Sequence, residues 1–245
     1  MYKQKKVVVT GASRGIGFAI THVLLSRGFS VHMISKDAIL LKKTCARLKK
    51  YGQIDFSVVD LSSREEIKKF CVKWDEKIYG LINNAGRWAE ERVDEPDKNI
   101  WDQIMRLNLD GVYFLTKGLQ RWIVDKGRIV NISSQLGTGG RIGMGAYAAS
   151  KHAVIGLTRC WSLELSARGI LVNAVCPGWV DTESNRIEIR QWARESGLSY
   201  KQKMRQITNP LTLKRFIKPV EVANLVCFLI GVEGSGITGQ IYEIK

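Results

Sequence analysis

No stretch of this chain approaches the run of about 18 apolar residues that a membrane-crossing helix needs, so no membrane span is expected. Cysteine is scarce and scattered. Cys45, Cys71, Cys160, Cys176 and Cys227 are odd in number and form no Cys-x-x-Cys pair. That excludes a disulfide scaffold and reads as buried free thiols in a reducing cytoplasm. Histidine occurs only at His22, His32 and His152, without metal-ligand spacing, so no metal is expected. His32 alternates with apolar residues in a strand-like run and reads as structural. No Pro- or Gly-rich linker, low-complexity tract or repeat divides the 245 residues, which suit one large domain spanning 1–245. The basic start Tyr2-Lys3-Gln4-Lys5-Lys6 meets only Val7-Val8-Val9 before Thr10-Gly11, too short an apolar run for a signal peptide. A cytoplasmic location is the expectation. Acidic residues are in deficit: 23 Asp and Glu stand against 38 Lys and Arg, a net charge of +15. Such a balance favours anionic partners, such as a cofactor's phosphates, coenzyme A or an acidic carrier protein, or serves solubility. The cations are spread along the chain without a nucleic-acid-binding motif, so no nucleic acid partner is expected.

What the chain does have is alternation. Strand-like runs at Lys6–Thr10, Ser30–Ser35, Ile54–Val59, Gly80–Asn83, Arg128–Ser133, Leu171–Cys176 and Gln240–Ile244 are rich in Val, Ile and Leu. Continuous apolar character of this kind suits strands covered on both faces. Helical patterns intervene at Gly15–Ser26, Ala38–Tyr51, Arg64–Lys77, Ile100–Val124, Ala146–Arg168 and Val220–Ile230. The order predicts an α/β fold: a Rossmann-type, doubly wound, parallel seven-stranded sheet with helices on both faces. Trp179–Lys218 breaks the rhythm, with short helix-like pieces such as Arg186–Glu195. It follows a strand end, where open α/β sheets place ligands, and reads as a substrate lid or as a surface insertion.

Two motifs carry chemistry. Thr10-Gly11-Ala12-Ser13-Arg14-Gly15-Ile16-Gly17 lies between the first strand and first helix, with spacing Gly-x-x-x-Gly-x-Gly. Glycines there permit a tight turn and close approach to a pyrophosphate, and the helix N-terminus offers free N–H groups. Farther along, Tyr147 and Lys151 stand four apart on a predicted helix and share its face. An ammonium near a phenol favours the phenolate and would lower a pKa that is ordinarily about 10. That would prepare the tyrosine for general acid–base work. Taken alone, such a pair also arises by chance on many helices.

Together these segments resemble the short-chain dehydrogenase/reductases over nearly the whole chain, Lys6 to Ile244. The family's glycine loop is matched by Thr10 to Gly17, its Asn-Asn-Ala-Gly stretch by Asn83-Asn84-Ala85-Gly86, and its Pro-Gly-x-x-x-Thr stretch by Pro177, Gly178 and Thr182. The resemblance implies a catalytic tetrad of Asn108, Ser134, Tyr147 and Lys151. Ser134, thirteen residues before Tyr147, is preferred to its neighbour Ser133. In this reading Ser134 hydrogen-bonds the substrate oxygen, Tyr147 exchanges a proton with it, Lys151 tunes the phenol and holds the nicotinamide ribose, and Asn108 holds a proton-relay water. Cofactor contacts are implied for Gly11, Ser13, Arg14, Gly15, Ile16, Gly17, Ser35, Lys36, Asp60, Leu61, Asn83, Ala85, Gly86, Tyr147, Lys151, Pro177, Gly178, Val180 and Thr182. The family's acidic position for the ribose of NAD falls on Ser35, followed by Lys36, with Arg14 on the same side. Asp37 lies twenty residues past Gly17, near the usual NAD spacing. It reads instead as the N-cap of the next helix. NADP(H) is therefore preferred to NAD.

The pattern around Tyr147 and Asn173–Gly178 is most similar to β-ketoacyl reductases, including acyl-carrier-protein, CoA-thioester and aromatic polyketide ketoreductases. Arg168 matches an arginine with which carrier-dependent members dock, whereas their second docking arginine falls near Asp125. The chain reaches Lys245 where members commonly run on to Gly-Gly. Pocket walls are expected at Gln135, Leu136, Arg141, Met144, Trp179, Asn185 and Trp192, with ordinary lid packing as the other reading. The leading expectation is an NADPH-dependent 3-oxoacyl reductase. The alternatives are an NAD(P)-dependent dehydrogenase of a sugar, steroid or hydroxy acid, and a non-catalytic nucleotide-sensing scaffold. A homodimer or homotetramer through Ile100–Val124 and Ala146–Arg168 is implied by the family.

Overall fold

Five-residue β1, Lys6–Thr10, sets the layering of the whole molecule. Its alternate residues face opposite sides: Val7 and Val9 enter one apolar cluster with Ile20, Leu24, Val226 and Ile230, while Val8 enters a second with Leu81, Leu115, Leu119 and Trp161. A strand buried on both faces needs helices on both, which is why its sequence reads apolar throughout. The remaining strands are β2 Ser30–Ser35, β3 Ile54–Val58, β4 Ile78–Asn83, β5 Ile123–Ile132, β6 Leu171–Pro177 and β7 Ile241–Ile244. All pair in parallel, in the order β3-β2-β1-β4-β5-β6-β7. The predicted doubly wound seven-stranded sheet is what the chain forms. The computed structural model describes residues 5–96 and 98–245; Met1–Gln4, and with them most of the basic N-terminal run, and Asp97 lie outside the described residues.

The helices are α1 Gly15–Ser26, α2 Ala38–Leu48, α3 Arg64–Lys73, α4 Ile100–Met105, α5 Gly111–Leu119, α6 Gly145–Glu164, α7 Glu183–Glu195, α8 Tyr200–Thr208 and α9 Pro219–Ile230. Several expected ends shift. The helix expected to reach Tyr51 becomes a 3₁₀ turn after Leu48. α3 stops at Lys73, four residues early, because Trp74 turns extended and its indole N–H donates to Glu76 O at 2.6 Å. The helix expected to run to Val124 ends at Leu119, and β5 starts at Ile123 where Arg128 was expected. Ile123 pairs with Ile78 across a register shift, and Lys126 takes φ 61, so the strand bends where its sequence looks least strand-like. The predicted α6 extension to Arg168 is a separate 3₁₀ turn, Ser166–Arg168.

Among the cysteines, Cys71, Cys176 and Cys227 are buried as expected, but Cys45 is half-buried and Cys160 exposed. His32 is structural: it pairs with Asp55 and meets Ser57 Oγ at 3.0 Å, while Lys6 reaches Asp55 at 3.1 Å and Glu76 at 2.5 Å. No helix among the described residues is long and apolar enough to cross a membrane.

Candidate active site

The loop after β1 is tied to the loop after β4 before any ligand enters. Asn84 N and Ala85 N each donate to Thr10 Oγ1 at 2.9 Å, and Asn84 Nδ2 donates to Thr10 O at 2.8 Å. Gly11 sits at φ 62, and a Cβ on Gly17 would lie 2.2 Å from Gly11 O, so neither position tolerates a side chain. The α1 N-terminus follows with an extended N-cap, Arg14, no side-chain cap and no acidic residue in its first turn. Its free N–H groups and positive dipole end suit a pyrophosphate. Ser13 Oγ meets Ser35 Oγ at 3.2 Å, where a ribose-binding carboxylate would otherwise stand. Asp37 is not available for that role: its carboxylate accepts from Leu40 N at 2.9 Å and caps α2, as its position suggested. Lys36 is exposed and lies 3.7 Å from Asp60, which accepts from Ser62 N and Ser62 Oγ. Burial would raise the Asp60 carboxyl, but these Ser62 hydrogen bonds and Lys36 hold it below its ordinary value.

The Asn83 side chain is buried and donates to Thr116 Oγ1 and Asn131 Oδ1, so it knits β4 to β5 and α5 and supports the sheet.

The four tetrad positions converge. Asn108 lies in a π-turn, Arg106–Asp110, between α4 and α5; single π-turns of this kind often mark functional positions. Its amide accepts from Arg87 N at 3.0 Å and donates to Arg87 O at 2.8 Å and Ser150 Oγ at 3.2 Å. Ser150 in turn donates to Tyr147 O at 2.7 Å. A Cβ on Gly86 would lie 3.3 Å from Asn108 Oδ1 and 3.4 Å from Lys151 Nζ, which brings the β4 loop, the π-turn and α6 to one point. Lys151 Nζ lies 5.8 Å from the Tyr147 ring centre and donates to Ile132 O at 2.9 Å. The two serines divide: Ser133 donates to Lys151 O at 2.9 Å and is buried, whereas Ser134 accepts from Leu136 N at 3.1 Å and shares a hydrogen bond with the Tyr147 side chain.

The electrostatics correct one expectation. Burial pushes the Tyr147 phenol above its ordinary value, opposed by its hydrogen bond with Ser134. Burial also pulls Lys151 down to about 8. Both shifts follow from the cost of charge in a closed site, with the ammonium held on a backbone carbonyl and not on the phenolic oxygen.

At the rim, the segment from Trp179 is a closed excursion. Val180 pairs with Ile217, and Ile217 N donates to Trp179 O at 2.8 Å, so both ends of the α7–α8 hairpin are pinned. Thr182 caps α7, and a Cβ on Gly15 would lie 3.4 Å from its methyl, so the start of α7 adjoins the glycine loop. Trp192 packs on Trp88 and Trp179 with ring centres 5.8 and 6.0 Å apart, and the Arg141 guanidinium lies over Trp179 and Trp192 while pairing with Glu90 at 2.8 Å. Four expected wall residues therefore meet or adjoin: Arg141, Trp179, Trp192, and Met144, which is buried and bridged to Glu91. Gln135 flanks Gly178 and lines a cavity of about 80 Å³ with Trp179 and Ile217. Leu136 is half-buried beside Ser134. Asn185 is spent locally, its amide donating to Val180 O at 2.7 Å.

A model of the short chain dehydrogenase family matches residues 5–193. The chain belongs to that family. Its members transfer hydride between a nicotinamide cofactor and a carbonyl or hydroxyl group, and the chain is an oxidoreductase of this kind. Over 98% of its length it is 36% identical to the 3-oxoacyl-(acyl-carrier-protein) reductase FabG of Thermotoga maritima, covering 96% of that protein. It is 31% identical to 2-(S)-hydroxypropyl-CoM dehydrogenase 3 of Xanthobacter autotrophicus, covering 99% of this chain and 95% of that one. Among solved structures, a variant actinorhodin polyketide ketoreductase with NADPH shares 33% identity and superposes with TM-score 0.91 over 100% of this chain and 97% of its own.

Sequence reading overlooked Thr10 and Asn84 as organisers of the loop, although both stand inside the quoted motifs. It had no signal for Ser150, or for Trp88, Glu90 and Glu188 at the rim. Glu188 lies one helical turn before Trp192, and one of its oxygens is buried without a hydrogen-bond partner. Burial, then the charge of Glu90, pushes it up to about 7. Its ionised form is thus disfavoured in the folded state, a cost that is absent below pH 4.5 and complete above about pH 7. Glu188→Gln should stabilise the protein at pH 8 by about 1 kcal/mol, discounted for partial exposure, and have no effect at pH 4. Urea unfolding at the two pH values measures this; equal midpoints at pH 8 would show the carboxyl to be fully solvated.

Proposed function

We propose that this chain is an NADPH-dependent reductase of the ketone of a 3-oxoacyl thioester or a related carbonyl compound. The observation that carries the reading is the convergence of Ser134, Tyr147 and Lys151 at the end of β5 and the start of α6, beside the β4 loop. Support for the substrate class comes from the Thermotoga maritima relative and the polyketide ketoreductase structure, each matched over nearly the whole chain.

The residues present fit a dinucleotide: the uncapped α1 N-terminus would receive the pyrophosphate, and Asp60, Leu61, Ala85 and Gly86 would hold the adenine and ribose. Ile16 and Val180 would back the two ends. Bound NADPH would supply the hydride. Ser134 directs its hydroxyl at the substrate oxygen as negative charge develops there, an oxyanion role. Tyr147, kept protonated by burial, is in the form that donates a proton to that oxygen, which favours the reductive direction. Lys151, poised at about 8, carries its charge at neutral pH and stabilises the phenolate once the proton has left. Asn108 fixes the Arg87 backbone and Ser150, and so holds the groups through which the proton is replaced.

The cofactor choice rests on charge. Arg14 and Lys36 are exposed cations beside Ser35, and Asp37 is engaged as a helix cap, an arrangement suited to a 2′-phosphate. Ser35→Asp should lower the ratio of kcat/KM for NADPH over NADH by roughly tenfold or more, a change of about 1.4 kcal/mol. An unchanged ratio would remove the argument.

The dehydrogenase reading has one specific support, the 31% identical hydroxypropyl-CoM dehydrogenase. Assembly as a dimer or tetramer through α4–α5 and α6 is supported by Trp101 and Leu163, 51% and 76% exposed on these helices. The deciding experiment is NADPH oxidation against 3-oxoacyl thioesters, cyclic ketones and sugars. Turnover is expected with thioesters; turnover of the sugars alone would overturn the substrate assignment.

A further inference from the structure

Arg168, the residue whose match implied carrier docking, is committed inside the molecule. Its guanidinium pairs with Asp125 at 3.0 Å and donates to Gln120 O at 2.9 Å and to Ile123 O. Those bonds hold the bent start of β5, and Asp125 stands where the second docking arginine would be. A partner with acidic surface would meet an ion pair there, not a free cation.

One positive surface lies elsewhere, on the outside of the α7–α8 hairpin. Residues 179–218 hold nine Lys and Arg against four Asp and Glu, so five of the chain's fifteen net positive charges reside in this segment. On α7, Ile187, Arg190 and Arg194 follow at i, i+3 and i+7, the spacing of one helix face. All three are exposed, Ile187 at 55%. The Arg190 guanidinium lies over the Tyr200 ring at 5.6 Å, joining the face to α8, where exposed Lys201 and Arg205 continue it. Among the described residues, no carboxylate is paired with Arg190, Arg194, Lys201 or Arg205. Arg190 and Arg194 are each two positions from Trp192, which places them about 200° around the helix from it. Trp192 packs inward on Trp88 and Trp179. One helix thus lines the substrate entrance with one face and offers unpaired cations around an apolar residue with the other.

We propose that this outer face of the α7–α8 hairpin is the docking surface for an acidic carrier protein that delivers the acyl thioester. The proposal rests on the thioester reading of the active site. Its chemistry is charge complementarity with an exposed Ile187 and Tyr200 as apolar contacts, the mixture that steers encounter and fixes register at transient interfaces. Docking on the lid would also press Trp192 onto the entering substrate.

The test compares wild type with Arg190→Glu/Arg194→Glu on three forms of one 3-oxoacyl group: carried on acyl carrier protein, on coenzyme A, and on neutral N-acetylcysteamine. KM for the carrier-bound form should rise about tenfold or more with kcat unchanged, and the wild-type KM should rise with salt. Kinetics on N-acetylcysteamine should be unaltered, which also reports that the lid is folded. Arg190→Gln/Arg194→Gln should give a smaller rise in the same direction. Equal carrier kinetics in wild type and variant would overturn the proposal, as would an equal KM rise with coenzyme A, which would assign the face to the nucleotide's phosphates. Failure of wild type to reduce the neutral thioester would instead overturn the thioester reading, and the proposal with it.

Discussion

Tyr147→Phe should lower kcat for carbonyl reduction by about 10³-fold, within the range that positioned general acids contribute, while NADPH binding stays within about twofold of wild type. The substitution removes one oxygen and leaves the ring, so the packing of α6 survives. Nothing in the backbone arrangement depends on that oxygen: α6 is anchored by Ser133 donating to Lys151 O and by Asn108 donating to Ser150 Oγ. Ser134 loses its hydrogen-bonding neighbour but keeps the bond from Leu136 N that orients its Oγ. Residual turnover then comes from Ser134 and from the orientation of the reactants alone. Cofactor fluorescence titration measures binding, and steady-state NADPH oxidation measures turnover. Retained turnover with intact binding would reassign the proton donor.

The fold was legible because its strands are buried on both faces and so read as unbroken Val, Ile and Leu runs, with β1, α1 and β2 bounded to the residue. The boundaries that moved are those where packing overrides pattern. Ile123 looks like the end of a long helix, and only its pairing with Ile78 makes it a strand. The glycine loop and the Tyr147–Lys151 pair were legible because local spacing fixes them. The sign of the tyrosine shift was not, since a helical i, i+4 spacing states proximity but not burial, and burial decides it. The basic outer face of the α7–α8 hairpin escaped for a related reason. Along the chain the cations look dispersed, and only the pinning of Val180 to Ile217 folds Arg190, Arg194, Lys201 and Arg205 into one hairpin. Arg168 shows the converse: a matched residue whose side chain the fold has already used.

Lys151→Met should abolish turnover and at the same time make the cofactor-free protein more stable. Lys151 is 4% exposed, and among the described residues its ammonium has a single hydrogen bond, to Ile132 O. Burial draws its pKa from 10.5 to about 8, which at about 1.4 kcal/mol per unit amounts to a cost on the order of 3 kcal/mol for keeping it charged. Losing the bond to Ile132 O returns about 1 kcal/mol of that, so the expected gain at pH 7 is about 2 kcal/mol, or a Tm rise of roughly 4–8 °C for a chain of this size. The folded-state pKa lies below the unfolded one, so the cost is fully present below about pH 8, fades as the pH rises toward 10.5 and is absent above it. The stabilisation by Lys151→Met must therefore shrink over the same interval. Calorimetry of wild type and variant at pH 7 and pH 10.5, each without cofactor, separates this from a general packing effect, which would persist at both. On the proposed mechanism, a residue that destabilises its own site at the pH where it is needed is kept for the reaction, its charge stabilising the phenolate that Tyr147 would become. If Lys151→Met were no more stable than wild type at pH 7, the lysine would have to find compensation in the folded protein beyond its bond to Ile132 O at the end of β5.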